Sequence, residues 1–314
     1  MNEYHIHPQQ GTLHGVLDPS IAPVLRIHSG DIVNIETLEA DWRTDRPDPV
    51  TLQAPFFPFR NPDRDLGHAL CGPVFVEEAL PGDALKIEIL QIQLGSWGWS
   101  SVGISNKDHL HRLGFSGREY FRVWNIQDEI CTDPSGLSLP ASPFPGVLAV
   151  APEGVLPVRT HIPGPHGGNL DCKELTEGSC LTLPVSHHGG LFSIGDGHAL
   201  QGDGESGGTA IECPFKKITL RISAVKQILN SPLAETETHY ITFGFDEDLT
   251  TAAYQALYEM RRLLHAVFGI SENQAMTLCS VGADLHVTQI VNGIRGVHCL
   301  LPKRIWNKLG KERI

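Results

Sequence analysis

The run Pro81-Gly82-Asp83-Ala84-Leu85-Lys86-Ile87-Glu88-Ile89-Leu90-Gln91-Ile92-Gln93-Leu94 decides the fold class. Leu85, Ile87 and Ile89 alternate with Lys86 and Glu88. That period of two puts the apolar set on one face of a strand and the charges on the other. Pro81-Gly82-Asp83 just before it is a turn, with Gly supplying the unusual backbone angle and Asp capping it. The same device precedes Ile32 as Ser29-Gly30-Asp31 and Cys180 as Glu177-Gly178-Ser179. Short apolar or alternating runs at 24–28, 32–37, 147–151, 218–225 and 240–245 read as further strands. Repeated turn-then-strand units predict β-meanders closing into a sandwich or a barrel.

One long helix is expected late in the chain. Leu249, Ala253, Ala256, Leu257, Met260, Leu263, Leu264 and Val267 fall at helical spacing, and Gly269 sits where a C-terminal cap belongs. Ser271 with Gln274 resembles a capping box for a second, shorter helix. A strand over 285–291 and a short helix near Lys303 complete the pattern. The expected class is α+β, predominantly β. A β-rich body over residues 1–232 carries the site, and an α/β portion over 233–314 packs on it, with no linker between them. The stretch 97–145 reads as long loops covering the site.

The bulk numbers narrow the partners. With 24 Lys and Arg against 36 Asp and Glu, the formal net charge is −12. Little is available to neutralise phosphates, which argues against a nucleic-acid partner. No apolar run approaches the ~20 residues that span a bilayer. The N-terminus lacks the basic and apolar regions of a signal peptide, so the expected location is cytoplasmic. The seven cysteines are scattered with no C-x-x-C pair, which argues against a zinc ribbon and against a secreted disulfide framework. The 16 histidines favour a metal. Self-association into a homo-oligomer is expected of a β-rich protein of this size.

The chemistry concentrates in residues 193–209, where three carboxylates, one imidazole and six glycines lie between apolar stretches. Glycine lets backbone approach a ligand closely. Asp, His and Glu ligate metals or act as acids and bases. Two more segments pair ligand-type residues with Gly, namely 65–73, containing His68, and 166–173, containing Asn169 and Asp171. No zincin, P-loop, Rossmann or nucleophile-elbow motif is present. Candidate ligands are His68, Asp171, Asp196, His198, Asp203 and Glu205. On extended chain, Asp196 and His198 share a face, and so do Asp203 and Glu205. Cys172 is the rival nucleophile, because the neighbouring Lys173 lowers a thiol pKa. Of the adjacent His187 and His188, at most one reaches any site.

These segments resemble the acetamidase/formamidase family. The resemblance is carried by Gly167-Gly168-Asn169-Leu170-Asp171, by Leu191-Phe192-Ser193-Ile194-Gly195-Asp196-Gly197-His198-Ala199, and by Gln201-Gly202-Asp203-Gly204-Glu205 with Gly208-Thr209-Ala210-Ile211-Glu212. Gly67-His68, Gly72-Pro73-Val74-Phe75-Val76-Glu77 and Ser280-Val281-Gly282-Ala283-Asp284-Leu285 extend it over residues ~10 to ~305. The resemblance implies a β-rich body with an α/β portion, a divalent metal (zinc, with calcium at a second site), and hydrolysis of formamide or acetamide to carboxylate and ammonia. Carried over by position, Asp171, His198 and Glu205 are the first metal ligands, then His68, with Asp196 as a further ligand. Glu205 or Asp203 moves the proton, and Asn169 stabilises the oxyanion. Ser206 and Gly207 depart from the family pattern and remove a thiol from the site. Two alternatives stay open: a non-catalytic protein that binds a small molecule or metal on the same fold, and a thiol-dependent amidase.

Overall fold

The alternating run forms the strand Ala84–Leu94 in the computed structural model, which describes residues 1–103 and 107–307. Leu85, Ile87 and Ile89 are buried while Lys86 and Glu88 stay half-exposed, as a period of two demands. The turn before it is capped as expected, since the Leu80 backbone N–H donates to Asp83 Oδ2 at 3.0 Å. Asp31 does the same for the His28 N–H, at 3.0 Å.

Ala84–Leu94 and Phe215–Val225 are the long central strands of a nine-stranded sheet. Beyond Phe215–Val225 lie Asp31–Ile35 and Glu3–Ile6. On the other side come Cys180–Pro184, Leu233–Glu235, His239–Asp246, Arg295–Pro302 and Asp284–Gln289. A second, eleven-stranded sheet is built around Phe192–Leu200, which pairs with Phe144–Ala149, Leu70–Val76 and Ile211–Glu212. One continuous core joins the sheets. Leu85, Ile87, Ile218 and Leu220 from the first share it with Val74, Leu148, Phe192 and Ile194 from the second. Each such side chain contributes roughly 1.5–3 kcal/mol when fully removed from water. Both sheets are open, so of the two expected closures the barrel is ruled out.

The helix Leu249–Phe268 starts at Asp248, whose side chain accepts from the Thr251 N–H, and ends at Gly269, left-handed at φ 63°. Its buried stripe of Ala252, Ala256, Met260, Leu264 and Phe268 packs on His239–Asp246 and Arg295–Pro302. Ser271 and Gln274 form the capping box of Glu272–Gly282. The α/β portion joins the body through the sheet itself, because Leu233–Glu235 pairs with both Cys180–Pro184 and His239–Asp246. Residues 308–314 of that portion lie outside the described residues.

The loop expectation for 97–145 is corrected. Trp97–Val102, Tyr120–Gln127, Ile130–Thr132 and Ser138–Pro140 form an antiparallel meander at one flank of the larger sheet. Trp99, Ser101, Tyr120 and Phe121 of its first two strands line a cavity, which mixes polar and aromatic residues there. Residues 104–106 of this stretch lie outside the described residues. No described helix is long and apolar enough to cross a membrane.

Candidate metal centre and active site

The strand Phe192–Leu200 is buried along nearly its whole length, so Asp196 and His198 are taken out of water with it. Opposite them on Phe144–Ala149 lies Gly146. A Cβ built there would sit 2.4 Å from Asp196 Oδ2, 2.7 Å from His198 Cε1 and 3.1 Å from Asp171 Oδ1. Three side chains thus close on a space that only glycine leaves open. Asp171, Asp196 and His198 each offer a ligand atom, and these atoms lie within 4.8 Å of one another.

The backbone is bent to deliver the acids. Asp171 (φ 51°), Asp196 (φ 58°) and Glu205 (φ 48°) all adopt the left-handed conformation. Such positions cost of order 1–3 kcal/mol each and persist only where the surroundings over-determine them. Three of them in one centre mark a built site.

Hydrogen bonds leave some ligand atoms conspicuously free. Asp171 Oδ2 accepts from Asn169 Nδ2 at 2.9 Å and from Asn292 Nδ2 at 3.0 Å, while its Oδ1 has no partner. His198 Nε2 lies 3.1 Å from Glu212 Oε2 and 3.5 Å from Asp196 Oδ1, and its Nδ1 has no partner. The Glu212 contact is at ion-pair distance but misaligned, so Glu212 Oε2 also lacks a hydrogen bond, as does Glu205 Oε2. A buried polar atom left unpaired costs about 1–3 kcal/mol. Four buried carboxyl groups around one imidazole are strongly disfavoured unless protons or a cation offset them. Carboxylate oxygens with an imidazole nitrogen, orphaned and converging on a glycine cradle, fit a divalent ion of the zinc class.

The electrostatics follow from the crowding. Burial pushes Asp171 and Glu205 well above the carboxylate range and the neighbouring acids add to it, while His198 opposes at both and a hydrogen bond with Glu205 also opposes at Asp171. Burial also raises Glu212, again opposed by His198. For Asp196 burial works in the same upward direction, but the charges of His68 and His198 outweigh it and hold the group low. Burial disfavours a charged His198, yet Glu212 and Asp196 keep its pKa well above that of a free imidazole.

The centre opens into a cavity of about 830 Å³. His68, Asn169, Asp196, Glu205, Glu212 and Asn292 line it, together with Arg43, Trp99, Phe121 and His161. His68 is therefore near the centre but outside the three-ligand cluster. Its Nδ1 lies 3.2 Å from Thr160 Oγ1. Asn169 spends an amide hydrogen on Asp171.

Asp203 goes elsewhere. Its Oδ2 accepts from Lys173 Nζ at 2.7 Å and lies 2.9 Å from His286 Nδ1. The expectation that Asp203 and Glu205 face one side fails, because Gly204 (φ 93°) and Glu205 turn the chain where an extended segment was assumed. His187 Nε2 contacts the Pro152 carbonyl at 2.8 Å and His188 packs edge-on against Phe75. Neither lines the cavity. Gly146 and Asn292 escaped the sequence reading, and Glu212 enters it only through the family resemblance, with no role in the site. Glu212 is directly across the ladder from His198, and Asn292 is 121 residues from Asp171, so no local pattern signals either contact.

The activated-thiol expectation for Cys172 is also corrected. Lys173 is engaged by Asp203, and burial followed by the charge of Glu174 pushes the Cys172 thiol up. Burial likewise raises Cys131 and Cys180 to about 11 and Cys299 to about 12. No cysteine lines the cavity. Thiols held protonated in the interior are poor nucleophiles.

This pair of open sheets around a buried acid–imidazole centre has the architecture of the acetamidases. The crystal structure of acetamidase from Bacillus halodurans superposes with a TM-score of 0.84 at 32% identity, covering 98% of this chain and 100% of that one. Acetamidase from Yersinia enterocolitica gives 0.83 at 27% identity, covering 96% and 92%. The formamidase of Methylophilus methylotrophus is 28% identical over 63% of this chain and 60% of its own length. The model of the acetamidase/formamidase family matches residues 2–162 and 156–308. The chain belongs to the acetamidase/formamidase family.

Proposed function

We propose that this enzyme, a hydrolase of the C–N bond in linear amides, cleaves a short amide of the formamide or acetamide class at the Gly146 cradle. The supporting observation is the convergence of Asp171, Asp196 and His198 on that one open space. These three residues, with Glu212 beside His198, would hold a zinc-class ion. Such an ion, when bound, polarises the amide carbonyl and lowers the pKa of water.

The protein's own groups do the rest. Asn169 and Asn292 fix Asp171 through its Oδ2 and aim Oδ1 at the cradle. Glu205 lines the cavity next to Asp171, with Oε2 uncommitted. It takes the proton from the attacking water and passes it to the departing nitrogen, which leaves as ammonia. The wall of Trp99 and Phe121 limits bulk water around the reacting carbonyl. Asp203 is assigned no part in the proton transfer, because Lys173 and His286 already occupy its Oδ2.

Ammonia release from formamide and acetamide tests the reading. Activity should vanish on chelation, return with zinc, and fall more than about 100-fold in His198→Ala while the circular dichroism stays unchanged. Full activity in metal-stripped His198→Ala overturns the mechanism. Loss of activity on thiol alkylation, with none on chelation, would favour the thiol route instead.

A further inference from the structure

We propose that Glu174, Asp203, His286 and His298 form a second centre for a divalent transition ion, separate from the Asp171–Asp196–His198 centre. Each of the four offers one ligand atom, and those atoms lie within 4.8 Å of one another. They come from three segments: the loop after Asp171, the turn before Glu205, and the hairpin formed by the strands Asp284–Gln289 and Arg295–Pro302.

His298 supplies the observation that points to a ligand. It is fully buried and its Nε2 has no hydrogen-bond partner. That atom lies 3.3 Å from Glu174 Oε2, too poorly aligned for a hydrogen bond. Neighbouring ligands of a tetrahedral ion with bonds of ~2.0–2.1 Å stand ~3.3–3.4 Å apart. The ring is also set for coordination. His298 Nδ1 lies 2.7 Å from Thr288 Oγ1, and donating its hydrogen there leaves the lone pair on Nε2. Asp203 repeats the pattern, with Oδ2 taken by Lys173 and His286 and the buried Oδ1 free.

The two histidines are direct cross-strand partners, with ring centroids 5.1 Å apart. Two imidazolium charges placed so would repel. Two neutral imidazoles on one cation would not. Paired imidazoles with two carboxylates suit zinc, cobalt or nickel, whereas calcium and magnesium select oxygen ligands throughout. An ion here would fasten three segments that also carry Asp171, Glu205 and Asn292.

Zinc counting and zinc-edge anomalous diffraction test the proposal on the full chain. Protein dialysed against zinc and desalted should hold one equivalent more than His286→Ala treated in the same way. Crystals of the unaltered protein should show an anomalous peak between the four side chains. The peak at this centre stands or falls independently of a peak at Asp171–Asp196–His198, so failure of the active-site reading is told apart. Equal zinc content in the two proteins, or a map with density at the other centre alone, overturns the proposal. Should His286→Ala fail to fold, the map of the unaltered protein decides.

Discussion

Single residues set the chemistry through what they leave out. Gly146 matters because it has no side chain. In Gly146→Ala the new methyl group would collide with Asp196 and His198, held in the buried strand Phe192–Leu200, and with Asp171, itself buried. Zinc uptake and ammonia release should both fall by more than about 100-fold, with a stability loss of about 1–3 kcal/mol. Metal analysis and a denaturant titration check this. A second residue-scale effect sits at His14, whose Nε2 lies 2.9 Å from Ser193 Oγ. Burial lowers its pKa from 6.5 to about 4. Between those values the unfolded chain binds a proton that the folded chain refuses. The stabilisation is therefore complete above pH 6.5 and is lost as pH falls towards 4, ~3 kcal/mol in all. Denaturation midpoints from pH 7 to 4 should fall less steeply in His14→Gln by close to one proton.

At the level of elements, caps and periodicity decide where structure begins and ends. Gly269 closes the Leu249–Phe268 helix in a left-handed turn, and a Cβ there would meet nothing within 4 Å. Gly269→Ala therefore isolates the conformational cost, about 1 kcal/mol. The expected result is a small drop in denaturation midpoint with unchanged activity. That helix was legible because its apolar spacing and both caps are local. The Trp97–Val102 and Tyr120–Gln127 strands were not. Trp99 and Ser101 of the first and Tyr120 and Phe121 of the second line the cavity, so aromatic and polar side chains mix on these strands and the period-two signal disappears. Asp203 and Glu205 were misread for a related reason, since parity holds only on extended chain and Gly204 turns it.

Across the whole molecule, the sheet is the unit of cooperativity. The nine-stranded sheet passes straight through residue 232, with Leu233–Glu235 hydrogen-bonded between strands on either side of that point. Cutting there would expose the edge of Cys180–Pro184 and leave the helix Leu249–Phe268 on the same fragment as the strands it packs on. Residues 1–232 expressed alone should lose the single cooperative transition of the full chain and bind a hydrophobic dye, as measured by melting and fluorescence. Retention of one sharp transition by that fragment would show that the body folds by itself.

Local chemistry alone determined the β-rich class, the capped helices, the turn devices and the identity of Asp171, Asp196, His198 and Glu205 as ligand-type residues. Each depends on neighbours a few positions away, where periodicity and caps act. Only the tertiary structure decided that Glu212, Asn292 and Gly146 join them, that Asp203 turns to His286 and His298, and that Cys172 is kept inert. Those outcomes rest on contacts between segments tens to more than a hundred residues apart. They are set by sheet register and by the cost of burying charge, neither of which leaves a trace in the local order of amino acids.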